Sequence, residues 1–311
     1  MTYYKDELER VAREHGFIRD TFEKVVRLKE ILMFINQHDF LSKHLLLKGG
    51  TAINLTIFDL PRLSVDIDMD YTPNDSKDDM HMAREDIGDT IKAYMQRNGY
   101  QLSEKSRISY SLDAFYFAFV NAGGNRDLIK IEINYSLRAH IFDPNKRAVL
   151  PQLFGDVKNI NTLNPMEVFA SKGNALLDRA AARDLYDWCG MIDNQLFDEA
   201  TCMFRKCFIF YASISRENIG HIFDTSRIDR IDYRKVRMEL LPVINKNENF
   251  NVEERKDQAK LRVGELSLIT QNEQEYLERF AYKEYRPDLL FDDEEIVSRI
   301  ENHPMAHWKC R

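Results

Sequence analysis

The sequence is poor in the features that mark several protein classes. Its four cysteines, Cys189, Cys202, Cys207 and Cys310, form no Cys-x-x-Cys pair, and its eight histidines are scattered. Zinc sites need such ligands at short spacings and disulfide scaffolds need cysteine at high density, so neither is indicated. No apolar run approaches the roughly 20 residues of a membrane-spanning helix, and Met1 to Asp20 reads as a charged helix instead of a secretory leader. A cytoplasmic protein without membrane contact is expected. Positive charge is also short: the net charge of −7 argues against coating nucleic acid through bulk electrostatics. It leaves room for a local basic groove, for which Arg138 with Lys146 and Arg147, Arg179 with Arg183, and Arg205 with Lys206 are the candidate clusters. Internal repeats, low-complexity tracts and long Pro/Gly/Ser linkers are absent.

What is present is a chain of 311 residues, 44% hydrophobic and 31% charged, long enough for two separate cores. Phe22, Val25, Val26, Leu28, Lys29, Leu32 and Met33 recur at three-to-four spacing, widened by Ile31 and Ile35, and predict an early helix. His44 to Leu47 is a short apolar run that ends in Lys48-Gly49-Gly50, and Ala52, Leu55 and Phe58 follow with helical spacing. The order is strand, glycine turn, helix. Ser64 to Tyr71 then alternates, with Val65, Ile67 and Met69 on one face and Asp66, Asp68 and Asp70 on the other. Met80 to Gly99 reads as a helix closed by its glycine. Three strand-like runs follow, Gln101 to Ser109, Ala114 to Val120 and Leu128 to Tyr135, with Ala122-Gly123-Gly124-Asn125 turning between the last two. In the last run Ile129, Ile131 and Ile133 oppose Lys130, Glu132 and Asn134. Strand signals fade from Asn164 onward.

Two carboxylates at alternate positions of one strand face repel unless a cation lies between them. Asp66 and Asp68 are therefore candidate metal ligands, and an all-oxygen set favours Mg²⁺ or Mn²⁺ over zinc. Gly49 and Gly50, lacking Cβ atoms, let backbone N–H groups approach a phosphate, and Thr51 can add a hydroxyl. A carboxylate-held metal pair that bridges triphosphate oxygens and activates an acceptor hydroxyl is the two-metal logic of nucleotidyl transfer. Glu132 is the candidate third carboxylate, as a metal ligand, as general base or as an electrostatic group only. Asn164 and Glu167 can form a capping box with Pro165 in the first helical position, so a helix starts there. On that helix Lys172 shares the face of Val168, Phe169, Ala175 and Leu176, where a charge needs a reason to be: a snorkelling stem or a phosphate partner. Arg183, Asp184 and Asp187 share a helical neighbourhood, which an ordinary surface ion pair also explains.

Lys48-Gly49-Gly50-Thr51-Ala52 with Arg62-Leu63-Ser64-Val65-Asp66-Ile67-Asp68 resembles the AbiEii and MenT group of nucleotidyltransferase toxins, within the DNA polymerase β-like superfamily. Asn164-Pro165-Met166-Glu167-Val168-Phe169-Ala170-Ser171-Lys172 and Arg183-Asp184-Leu185-Tyr186-Asp187 resemble that family's later lysine and Arg-Asp-x-x-Asp motifs, so the likeness spans Leu45 to Trp188. It implies an α/β (α+β) fold. A polymerase β-like domain with a mixed sheet is expected over residues 1–159, N-terminal helices included, and a mainly helical domain over residues 160–311. It further implies that Lys172, with Asp184 or Asp187, belongs to the active site, that Ser64 and Arg62 flank it, and that Arg183 meets the nucleotide. A nucleoside triphosphate would be the substrate, RNA such as a tRNA 3′ end the acceptor, and a neighbouring antitoxin the partner, as in abortive phage defence. Two other readings compete: adenylylation of a small cationic molecule such as an aminoglycoside, and a non-catalytic nucleotide-binding protein.

Overall fold

The computed structural model describes residues 4–215 and 219–311. These divide into two compact units, one of residues 1–138, 144–163 and 243–247, the other of residues 139–143, 164–242 and 248–311.

The first unit opens with α1 (Lys5–Glu14) and α2 (Arg19–Gln37); Met1 to Tyr3 of the expected leading helix lie outside the described residues. Helix α2 buries Phe22, Val25, Leu28, Ile31, Leu32 and Ile35, as its periodicity predicts, and also Glu23, which is fully buried and salt-bridged to Arg27 at 2.6 Å. A short α3 (Leu41–His44) leads into β1 (Leu45–Lys48), the turn helix α4 (Gly49–Ala52) and a wider π-helical turn over Ile53–Ile57. Next come β2 (Asp66–Tyr71), α5 (Lys77–Arg97), β3 (Gln101–Leu102), β4 (Arg107–Ile108), β5 (Leu112–Val120), β6 (Arg126–Asn134), β7 (Asn145–Arg147) and β8 (Ile160–Thr162).

All eight strands form one mixed sheet in the order β3-β5-β6-β2-β1-β8-β7, with β4 also on β5. Strands β1 and β2 are antiparallel, whereas β2–β6 and β1–β8 are parallel. Leu45, Leu46 and Leu47 are all buried, as suits a central strand covered on both faces. The expected strand Gln101–Ser109 is interrupted by a turn and survives as the two short edge pieces β3 and β4. Strands β7 and β8 have three residues each, too few to announce a strand in the sequence, and are held by their neighbours. A boundary near Asn159 therefore falls before the last strand of the sheet: Leu163 still donates its N–H to the Leu47 carbonyl at 2.9 Å.

The second unit is helical: α6 (Pro165–Arg179), α7 (Ala182–Asp193), α8 (Thr201–Ser215), a short α9 (Tyr233–Lys235), α10 (Val252–Leu266), α11 (Gln271–Ala281), α12 (Glu294–Ile300) and α13 (Pro304–Lys309). Its core is aromatic, with Phe169, Trp188, Phe204, Phe208, Phe210, Tyr276 and Phe280 buried. Helix α6 begins as its sequence predicts, with Pro165 in the first turn and Asn164 Oδ1 accepting from the Met166 N–H at 2.9 Å. The reciprocal half of the capping box is absent. Glu167 turns inward instead, fully buried, and accepts from the Ile141 and Phe142 N–H groups and from the Tyr211 hydroxyl at 2.7 Å. Three donors in a dry interior outweigh one N-terminal amide at the helix end.

Candidate active site

In the first unit the glycine turn and the acidic strand meet. Gly49 has φ +68°, a left-handed conformation that costs a side-chain-bearing residue about 1–2 kcal/mol. A Cβ on Gly49 would stand 2.5 Å from Asp68 Oδ2, so backbone and carboxylate approach as only glycine permits. A Cβ on Gly50 would lie 2.7 Å from the Arg62 guanidinium and 2.9 Å from Ser64 Oγ. The motif residues Gly49, Gly50, Arg62, Ser64 and Asp68 are thus brought together. Thr51 occupies a different position: fully buried, it donates its hydroxyl to the Asp66 carbonyl at 2.5 Å, with Ser64 Oγ at 3.0 Å. It ties the turn to the start of β2 and does not present its oxygen outward.

The pleat and the register then assemble the acidic face. Parallel pairing sets Asp66 opposite Lys130, Asp68 opposite Glu132 and Asp70 opposite Asn134, while antiparallel β1 sets Lys48 opposite Asp68. Asp66 and Asp68 are half-buried. Asp70 is buried, and that burial pushes its carboxyl above the usual range despite the Lys48 ammonium 2.5 Å away. Glu132 accepts from Lys130 at 2.5 Å. Burial pulls the Lys130 ammonium down, but Glu132, Asp66 and Asp68 together hold it above its ordinary value. Three carboxylates therefore act on one point of the face, and each is a hard oxygen donor suited to Mg²⁺, which commonly takes one or two carboxylates with substrate phosphates. Among the described residues no group of three or more Asp, Glu, His or Cys side chains is arranged to hold a metal. Asp66 and Asp68 lie on one strand face, and Glu132, paired opposite Asp68, is bonded to Lys130.

The second unit carries its own polar cluster. Lys172, 8% exposed, donates to Asp184 at 2.9 Å and lies 3.1 Å from Asp187. Arg179 binds the same Asp184 at 2.6 and 3.0 Å. Burial alone would raise the Asp184 carboxyl, yet Lys172 and Arg179 hold it well below the usual carboxylate range. Neither bland alternative describes this cluster. Lys172 does not snorkel to solvent, and Asp187 is buried against Lys172 instead of standing in a surface pair. Helices α6 and α7 meet closely here because Gly173 faces Trp188, where a Cβ would be 2.2 Å from the indole ring.

Lys48 and Lys130 are charged groups that sequence reasoning left without a role, and Arg179, read only as part of a basic cluster, is a third group placed by the fold. Lys130 was signalled by its place two residues before Glu132 on one strand face; the reach of Lys48 and Arg179 depends on register and helix packing. The basic clusters read from the sequence are largely consumed: Arg205 pairs with Glu273, Lys206 with Asp292, Arg179 with Asp184, and Arg147 and Arg138 bond carbonyls.

Among the described residues, no helix is long and apolar enough to cross a membrane. The chain is similar in structure to MenT4, a nucleotidyltransferase toxin from Mycobacterium tuberculosis H37Rv, with a TM-score of 0.60 and 14% identity over 98% of this chain and 99% of that one. No curated protein matches the sequence. Residues 31–294 match the family described as "Nucleotidyl transferase AbiEii toxin, Type IV TA system", and the chain belongs to that family of nucleotidyltransferase toxins.

Proposed function

We propose that this toxin transfers a nucleoside monophosphate from a nucleoside triphosphate to an RNA hydroxyl, with a tRNA 3′ end as the acceptor, in a Mg²⁺-dependent reaction in the cytoplasm. Blocking translation in this way would serve phage defence, with a cognate antitoxin as the counterweight. The observation that carries the reading is the approach of the Gly49 turn to Asp68: a glycine turn and a strand with two half-buried carboxylates share one small region. Asp66 and Asp68 would hold Mg²⁺, which neutralises triphosphate charge and polarises the α-phosphate. The acceptor oxygen bonds to the α-phosphorus, the bond to the β-phosphate oxygen breaks, and pyrophosphate leaves. Glu132 takes the acceptor proton as general base. Gly49 and Gly50 offer backbone N–H groups to phosphate, Arg62 and Ser64 flank them, and Thr51 supports the turn. Lys172 and Arg183 act on phosphate charge, with Asp184 and Asp187 orienting the lysine.

A thermal-shift titration tests the metal assignment. Triphosphate at about a hundredfold excess over Kd should stabilise the protein by about 2.7 kcal/mol with Mg²⁺ present. Chelation, or the Asp66→Ala/Asp68→Ala pair, should remove most of that gain. An equal shift in the chelated double variant would contradict metal-linked binding through these carboxylates.

A further inference from the structure

Most of the basic clusters read from the sequence are engaged by acids or carbonyls, but another stretch is not. Ser226–Arg230 forms a 3-10 turn, and α9 then runs without a break into a π-helical turn over Val236–Leu240. Val236 and Leu240 face inward and are buried. Tyr233 with Arg237, and Arg234 with Met238, are four apart on the outward side; Tyr233 is 68% and Met238 67% exposed. Among the described residues, Arg230, Arg234 and Arg237 meet no carboxylate. The interleaved acids face other groups: Asp229 binds Lys260, Asp232 caps Lys235, and Glu239 accepts from the Ala182 N–H at 2.8 Å. Elsewhere in this unit Arg205, Arg255, Arg262, Arg279, Arg286 and Arg299 are each matched by an acid.

This stretch is also tied to the connection between α6 and α7. Besides the Glu239 bond, Lys235 donates to the Ala180 carbonyl at 3.0 Å and Arg227 to the Asp178 carbonyl at 2.6 Å. That connection joins the helix of Lys172 to the helix of Asp184 and Asp187. Arg234 and Arg237 beside an exposed phenol ring and an exposed thioether, with Arg230 at the end of the preceding turn, fit a ribose-phosphate backbone with an unstacked base.

We infer that residues 230–238 form the surface that takes the phosphates of the RNA acceptor, with Arg230, Arg234 and Arg237 on phosphate and Tyr233 on a base. The inference rests on RNA being the acceptor. Binding of the full chain to purified tRNA is measured by fluorescence anisotropy across a salt series. Three chains are compared: the unaltered one, R230A/R234A/R237A, and R10A/R13A/R279A, which removes the same charge from exposed ion pairs. Substitution of the three surface arginines should weaken binding about tenfold or more and make the salt slope shallower by about 2 to 3. The charge-matched variant should bind as the unaltered chain does. Unchanged binding in R230A/R234A/R237A, or an equal loss in both variants, overturns the surface assignment alone. Absence of RNA binding by the unaltered chain at low salt overturns the RNA acceptor and this surface together.

Discussion

Lys172 answers two buried carboxylates, Asp184 at 2.9 Å and Asp187 at 3.1 Å, and Asp184 is shared with Arg179. A charged residue on an apolar helix face is visible in the sequence, whereas its partners lie on the next helix and depend on the packing of Gly173 against Trp188. Glu167 teaches the converse: local spacing offers a capping box, and tertiary donors from residues 141, 142 and 211 take the carboxylate away. Asp184 also sets a pH dependence. Its folded carboxyl titrates below the ordinary range, so its contribution to stability is fully present above about pH 4 and is lost as pH falls below that. Urea unfolding from pH 6 to pH 3 should show the gap between the unaltered chain and Asp184→Asn narrowing as pH drops. A gap that is constant across this range would contradict the charge pairing.

At the scale of elements, β2 was legible because alternation over Asp66–Tyr71 is strict, and its register follows from burial of Ile67 and Met69. The short strands β3, β4, β7 and β8 were not, since two or three residues carry too little periodicity and are defined by what lies beside them. The glycine turn was legible as a turn; its contact with Asp68 needed the antiparallel pairing of β1 with β2. Gly49→Ala tests that contact. The positive φ alone should lower stability by about 1 kcal/mol or more, equivalent to about 2–4 °C in Tm. The methyl group 2.5 Å from Asp68 Oδ2 must displace the carboxylate, so kcat should fall further than stability does. A variant with a lowered Tm and an unchanged kcat would remove Gly49 from the reaction.

For the whole molecule, a mixed sheet followed by helices could be read in order along the chain, but the exchange of short segments could not. Residues 139–143 group with the helical unit and residues 243–247 with the sheet unit, placements made by contacts distant in sequence. Val243 supplies its carbonyl to the Leu63 N–H at 2.7 Å, and Ile244 bridges to Arg62, so a late segment braces the backbone just before the acidic strand. Nothing in the composition of that segment announces it. The acidic net charge likewise describes the whole chain and conceals local choices, since some arginines of the helical unit are paired with acids and others are not.

The most direct test is incubation of the purified chain with Mg²⁺, each α-labelled nucleoside triphosphate in turn, and total cellular RNA, beside an Asp66→Ala control. The prediction is label on a tRNA-sized band with the unaltered chain, reduced about a thousandfold by Asp66→Ala. Label on no RNA with any triphosphate, or equal labelling by the Asp66→Ala chain, would contradict RNA nucleotidyl transfer through this carboxylate pair.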